Sequence, residues 1–165
     1  KERVEFIHRQ NMTAAIVEEF IEGREIYVGV IGNQNLQAYT PWELVIKNLP
    51  NGASAIATGK VKWDVEYQKK IGLETMPARL EPKAKNEFER LSKRIYRTLG
   101  LSGYARIDYR LTEGGRIYAL EVNPNPQIAH NEDFADSAEH CSVSYKALLQ
   151  KIMTLGMSYD PVSRW

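Results

Sequence analysis

The sequence predicts an α+β fold, an antiparallel β-sheet with helices packed on one face. Three observations carry this. Arg24–Ile31 alternates, with Ile26, Val28 and Val30 on one side. Two apolar-polar alternating segments, around Arg106–Leu111 and Tyr118–Asn123, flank Gly114-Gly115, a pair suited to the positive φ of a tight hairpin turn. Ala84, Phe88, Leu91, Ile95 and Leu99 recur at spacings of four, three, four and four, which is one helical stripe.

Taken in order, residues 1–11 read as a short helix. Ala14 to Ile21 reads as a strand that includes the acidic pair Glu18-Glu19, and Gly23 breaks it ahead of the strand Arg24–Ile31. Gly32-Asn33-Gln34-Asn35 is a turn signal, followed by a third strand around Leu36–Thr40 and, past Pro41, a fourth over Trp42–Ile46. Asn48 to Gly59 is rich in Gly, Asn, Ser and Pro and reads as a loop; Lys60 to Pro82 is mixed, polar and unassigned. Lys83–Leu99 is the clearest helix, with the i,i+4 pairs Lys83/Glu87 and Glu89/Lys93 on its wet side and Gly100 at C′. After the hairpin, Asn123-Pro124-Asn125-Pro126 is a stiff loop, because both prolines lack an N–H. Ser142 is the expected cap of a last helix whose apolar face is Val143, Leu148, Leu149, Ile152 and Met153. The expected sheet has about five to seven strands, with the 83–99 and 142–155 helices on its apolar face.

The 165 residues amount to one compact domain, or one lobe of a larger one. The chain opens at Lys1 in what reads as mid-element, so a fragment of a longer chain is expected. Lys plus Arg (22) nearly balance Asp plus Glu (21), so no broad field invites nucleic acid or an anionic membrane. No apolar run is long enough to span a bilayer and no secretory signal pattern is present. The single Cys141 cannot form an internal disulfide, which fits a reducing, cytoplasmic setting and a structural or idle thiol.

The hairpin is also where chemistry concentrates. If Glu113 faces Arg116, Asp108 lies opposite Glu121 and Arg106 opposite Asn123. The polar face then holds Arg106, Asp108, Arg110, Glu121 and Asn123, while Ile107, Tyr109 and Leu111 join Tyr118, Leu120 and Val122 on the apolar face. Two carboxylates facing each other across a hairpin sit about 5 Å apart, and their repulsion at an effective dielectric near 20 is roughly 3 kcal/mol. A hard divalent cation offsets this, because Asp, Glu and an Asn carbonyl are oxygen ligands that Mg²⁺ accepts. The other reading is that Arg106 and Arg110 neutralise the pair in a cross-strand salt network. The hairpin residues alone leave both readings open.

Four segments together resemble a known family. Val17-Glu18-Glu19-Phe20-Ile21-Glu22-Gly23-Arg24-Glu25, Lys62-Trp63, Arg106-Ile107-Asp108 and Glu121-Val122-Asn123-Pro124-Asn125-Pro126 resemble, in order and spacing, the ATP-grasp superfamily, most closely its D-alanine–D-alanine ligase branch. The likeness covers roughly residues 12–155 and corresponds to the C-terminal lobe, without the N-terminal and central lobes. It implies ATP and Mg²⁺ (or Mn²⁺) as cofactors, a small carboxylate and an amine acceptor as substrates, and a homodimer as one further expectation. It implies that Glu18 and the backbone of Glu19 and Ile21, with Phe20 between them, meet the adenine, and that Glu25 holds the ribose hydroxyls. Lys62 is the implied triphosphate lysine, with Lys60, Lys69 and Lys70 as rivals. Asp108, Glu121 and Asn123 are the implied metal ligands, and Arg106 faces the transferring phosphoryl group.

One departure stands out. The branch follows its Glu-x-Asn with a glycine- and serine-containing loop that presents backbone amides and binds the second D-alanine. Here the loop is Pro124-Asn125-Pro126-Gln127-Ile128-Ala129-His130-Asn131-Glu132-Asp133, with Gln127 at the glycine position and no serine-leucine pair. His130 and Asn131 are candidates to touch a different acceptor. The activity implied is a carboxylate–amine ligase acting through an acyl phosphate; a small-molecule kinase of the same fold and an ATP-binding regulatory module without turnover are the alternatives.

Overall fold

The structure, a computed structural model, describes residues 1–48 and 64–159. Six strands form one antiparallel sheet: β1 (Arg24–Ile31), β2 (Gln37–Ala38), β3 (Trp42–Ile46), β4 (Leu73–Pro77), β5 (Tyr104–Leu111) and β6 (Ile117–Asn123). Their order is β4-β3-β1-β5-β6, with β2 beside the end of β1. The helices are α1 (Glu2–Asn11), α2 (Val65–Ile71), α3 (Pro82–Thr98), α4 (Asp133–His140) and α5 (Tyr145–Met157). No described helix is long and apolar enough to cross a membrane.

β1 and β5 pair along their full lengths, from Arg24↔Leu111 to Ile31↔Tyr104, and their alternation divides the interior in two. Ile26, Val28 and Val30 join Ala105, Ile107, Tyr109 and Leu111 against Phe88 and Tyr96 of α3. On the opposite face Ile31 and Tyr39 pack with Phe134, Ala135 and Ala138 of α4 and Leu148 of α5. The α+β class and the antiparallel sheet are as expected, and α3 covers the anticipated apolar face. The last helix lies on the other face, because Ile31 and Tyr104 point there and offer it apolar surface.

α3 lies within one residue of its expected bounds at each end. Its end is a Schellman motif: the N–H groups of Gly100 and Leu101 donate to the carbonyls of Arg97 and Tyr96, and Gly100 takes φ 61°. The buried stripe differs from the expected one: Ser92 and Tyr96 join Phe88 as fully covered residues, whereas Leu99, beyond the helix end, is 56% exposed. Ser92 and Tyr96 are both satisfied: Ser92 Oγ lies 2.7 Å from the Tyr109 hydroxyl, and the Tyr96 hydroxyl donates to the Gly32 carbonyl at 2.9 Å.

Several expectations are corrected. Ala14–Ile21 forms no strand; Ile16 and Val17 stand 86% and 78% exposed. The strand it leads into, β1, is already paired on both sides, with β5 on one and with β3 and β2 on the other. The third strand shrinks to Gln37–Ala38 because β3 takes the Glu25–Tyr27 part of that same edge. The unassigned stretch yields α2, capped by Asp64 accepting from the Tyr67 N–H, and then β4. α4 was not anticipated. Ser144, not Ser142, caps α5 by accepting from the Ala147 N–H; Ser142 instead takes φ 63° in the reversal between α4 and α5. The expected loop Asn48–Gly59 lies largely outside the described residues.

Candidate functional site

The β5–β6 hairpin places its donors as predicted but reaches them differently. Arg106 pairs with Asn123, Ile107 with Val122 and Asp108 with Glu121. Between Asp108 and Tyr109 the register steps, so Tyr109 faces Ala119 and Leu111 faces Ile117, leaving Leu120 as the extra residue of a bulge. At the far end Thr112, not Glu113, faces Arg116, around a Glu113-Gly114-Gly115 loop closed by the Gly115 N–H on the Thr112 carbonyl, with Gly115 at φ 78°. The longer loop and the bulge offset each other, and the donor end keeps the expected pairing. The facial assignment beyond the bulge is therefore wrong: Tyr118 faces the polar side beside Arg110, and Leu120 is 51% exposed.

Around these donors the charges are paired. Arg106 lies in a fork on Asp108, Nε to Oδ1 at 2.8 Å and Nη2 to Oδ2 at 2.9 Å, with its guanidinium carbon 4.4 Å from the Tyr27 ring centre. Its Nη1 is 3.6 Å from Asp133 Oδ2. Burial works against the Arg106 charge, but the Asp108 hydrogen bonds and the neighbouring carboxylates more than restore it. Arg110 donates to Glu25 Oε2 at 2.8 Å and to the Gly23 carbonyl at 2.9 Å, while the Tyr27 hydroxyl donates to Glu25 Oε1 at 2.7 Å. Burial, reinforced by Glu25, raises the Tyr27 hydroxyl pKa strongly. Asn123 Oδ1 accepts from the Asn125 N–H at 2.9 Å, which fixes its amide.

Two concavities meet at Glu121. A cleft of about 410 Å³ is lined by Glu18, Glu19, Phe20 and Ile21 on one side and by Arg110 and Tyr118–Glu121 on the other. A pocket of about 500 Å³ is lined by Tyr27, Arg106, Glu121 and Asn123, then by Asn125, Gln127, Asn131, Glu132 and Asp133. Burial raises the Asp133 pKa, and a hydrogen bond with Thr75 and the charge of Arg106 offset this only in part. Glu25 does not line the cleft; it lines a smaller neighbouring pocket with Glu43 and Arg110. His130 is turned against Tyr145, their ring centres 5.1 Å apart, so Asn131 rather than His130 reaches the pocket. Lys62 and Lys60 lie outside the described residues. Cys141 is a structural thiol near Thr40, 3.3 Å from its N–H and from its hydroxyl.

As a donor set, Asp108, Glu121 and Asn123 offer two carboxylates and an amide oxygen from adjacent strands on one face. This hard-oxygen chemistry suits Mg²⁺, which takes few protein ligands and completes its octahedron with phosphate and water. Among the described residues no group of three His, Cys, Asp or Glu is placed to hold a metal ion. Sequence reasoning missed Tyr27 and Asp133. The alternation of β1 puts Tyr27 beside Glu25 on the charged face and could have found the first; the second depends on α4.

Comparison with known proteins bears on the family and the fold. The chain is 29% identical over 143 residues to the D-alanine–D-alanine ligase of Carboxydothermus hydrogenoformans, covering 86% of this chain and 43% of that protein. It is 30% identical over 154 residues to the D-alanine–D-alanine ligase B of Clostridium tetani, covering 93% and 39%. It thus spans less than half the length of these relatives. In fold it resembles the Bacillus anthracis D-alanine–D-alanine ligase solved with ATP, with a TM-score of 0.70 at 18% identity over 94% of this chain and 46% of that one. The VanG D-Ala:D-Ser ligase of Enterococcus faecalis gives 0.65 at 24% identity over 84% and 37%. The family described as D-ala D-ala ligase C-terminus matches residues 4–154, nearly the whole chain, and the chain belongs to that family.

Proposed function

We propose that the protein containing this chain is an ATP- and Mg²⁺-dependent carboxylate–amine ligase acting through an acyl phosphate. The observation that carries this reading is the position of Glu121, shared between the Glu18–Ile21 cleft and the Arg106 pocket and facing Asp108 across the hairpin. A nucleotide in the cleft would direct its phosphates towards the donors, and a carboxylate in the pocket would meet them from the other side.

In this reading Glu18 and the backbone of Glu19 and Ile21 hold the adenine, with Phe20 lining the same wall. Glu25 is assigned to the ribose hydroxyls by family likeness alone, since here it is held by Tyr27 and Arg110 and lines the neighbouring pocket rather than the cleft. Lys62 is assigned to the triphosphate by family likeness. Asp108, Glu121 and Asn123 hold Mg²⁺, which when bound supplies neutralisation of the phosphate oxygens. Arg106, a permanently charged fork, faces the phosphoryl group in transfer and the oxyanion that follows. The γ-phosphoryl group passes to a carboxylate oxygen, releasing ADP. The amine nitrogen then attacks the acyl carbon, the C–N bond forms, and the C–O bond breaks with its electron pair leaving on phosphate, which also carries off the proton shed by nitrogen. The protein contributes chiefly position and charge.

The test is ADP release by the full-length protein over a panel of amino acids, repeated with hydroxylamine. Release with hydroxamate formation is the expected result. Release without hydroxamate identifies a kinase, and no release at all identifies a regulatory ATP-binding module; either overturns the ligase reading.

A further inference from the structure

Tyr27 touches both charged groups of β5 that matter to the pocket. The register sets Tyr27 of β1 opposite Asp108 of β5, which is itself opposite Glu121 of β6, so the three form one row across the sheet. The side chain is only 6% exposed, yet it lines the pocket together with Arg106, Glu121 and Asn123. Its two ends meet different partners. The ring lies under the Arg106 guanidinium, whose carbon is 4.4 Å from the ring centre, and the hydroxyl donates to Glu25 Oε1 at 2.7 Å. Glu25 is held in turn by Arg110 at 2.8 Å.

The geometry of Arg106 gives the ring a task. Asp108 takes Nε and Nη2, the two donors along one edge of the guanidinium. Two parallel hydrogen bonds fix rotation within the plane, but the plane can still tip about the bonded edge as about a hinge. Nη1 lies outside that edge and swings most. Its contact with Asp133 Oδ2, at 3.6 Å, is too long for a hydrogen bond and does not lock it. A flat aromatic face beneath the plane closes the hinge on one side, and the attraction between cation and ring keeps the plane seated there. An aliphatic side chain offers no such face. The hydroxyl bond to Glu25 keeps the ring itself from sliding.

That Arg106 meets a phosphoryl group rests on the ligase reading above. We propose that Tyr27 is a positioning residue for that step, its ring holding the Arg106 plane, and with it Nη1, at the height from which the arginine meets the oxygens in transfer. A guanidinium tipped off the ring keeps its charge but presents it out of line. The loss therefore falls on turnover and not on nucleotide binding.

The experiment measures kcat and the KM for ATP of ADP release by the full-length protein, with the carboxylate–amine pair that stimulates it most. Tyr27→Leu is expected to lower kcat about tenfold or more, with KM for ATP held within about twofold. Tyr27→Phe, which restores the ring, should recover at least about a third of the wild-type kcat. In Arg106→Lys, whose ammonium has no plane to be held, adding Tyr27→Leu should cost no more than about twofold. A merely structural role would exact the same cost in both backgrounds. Tyr27→Met replaces Tyr27→Leu throughout if the latter yields less folded protein by its melting amplitude. Turnover unmoved by loss of the ring, Tyr27→Phe as slow as Tyr27→Leu, or an equal loss in both backgrounds overturns the proposal and leaves the ligase reading standing. Wild-type protein that releases no ADP with any carboxylate–amine pair removes the ligase reading, and the role of Tyr27 with it.

Discussion

The two faces of the β1–β5 pair are both shielded from water, by opposite means. Towards α3 the side chains are Ile26, Val28, Ile107 and Tyr109, at most 1% exposed and held by shape and apolar area. On the other face Asp108 and Arg110 are nearly as covered, at 7% and 4% exposed, yet every charge there has a counter-charge: Arg106 on Asp108, Arg110 on Glu25. Buried ion pairs of this kind recover little more than the desolvation they cost. The apolar face thus carries most of the stability, and the charged face adds little to it.

This contrast can be broken or sharpened by substitution. Ile107→Asp places an uncompensated charge in the apolar core and should cost about 3–5 kcal/mol, read by chemical denaturation. Leu120→Asp, its nominal neighbour on the hairpin, should stay within about 0.5 kcal/mol, because the bulge has turned Leu120 outwards. Equal costs for the two would dismantle the facial assignment.

On the charged face the largest effect should be on turnover. Glu121→Gln in the full-length protein is expected to lower ADP release about a hundredfold or more, with the melting temperature held within about 2 °C. Asp108→Asn should match it in activity and also lose stability, since Arg106 would lose its fork and keep only the more distant Asp133 as a charged partner. Normal release in either variant removes the metal assignment. Next in size, Tyr109→Phe should cost about 1–2 kcal/mol by stranding the buried Ser92 hydroxyl; an unchanged midpoint would mean that the pair contributes nothing.

The smallest effect concerns pH. Burial raises the Asp133 carboxyl in the folded state, so the stability it contributes is fully present below its unfolded value near pH 4 and is lost as pH rises through the higher folded value. Asp133→Asn cannot ionise, so its stability relative to the wild type should improve from pH 4 towards neutrality. Parallel stability profiles in urea at the two pH values would contradict this.

Much of this was legible in the residues, and the failures have physical causes. Strand alternation located β1 and β3 to the residue, and the 3.6-residue stripe located α3. Asp108, Glu121 and Asn123 were brought together correctly even though the turn was misjudged by one residue, because two irregularities compensate. Pairing partners were not legible: Ala14–Ile21 has strand-like residues but pairs with no strand of the sheet. Ser92 and Tyr96 look like wet-side residues until Tyr109 and the Gly32 carbonyl are placed opposite them. α4 is short, follows a proline loop, and shows its apolar character only at Phe134, Ala135 and Ala138, too few positions to announce a period. The engagement of Glu25 by Arg110 and Tyr27 needs the register of β1 against β5, and no single segment contains it.

The Leu120 bulge has a bearing on solubility as well as on register. β6 is the outermost strand on its side of the sheet, so its outward N–H and C=O groups offer a template on which a foreign strand could zip. One protruding residue in the middle of that ladder twists the border and spoils the match. Excising Leu120 would leave Asp108 across from Glu121, but it would straighten the border, and the shortened chain should self-associate at concentrations where the parent stays monodisperse in light scattering.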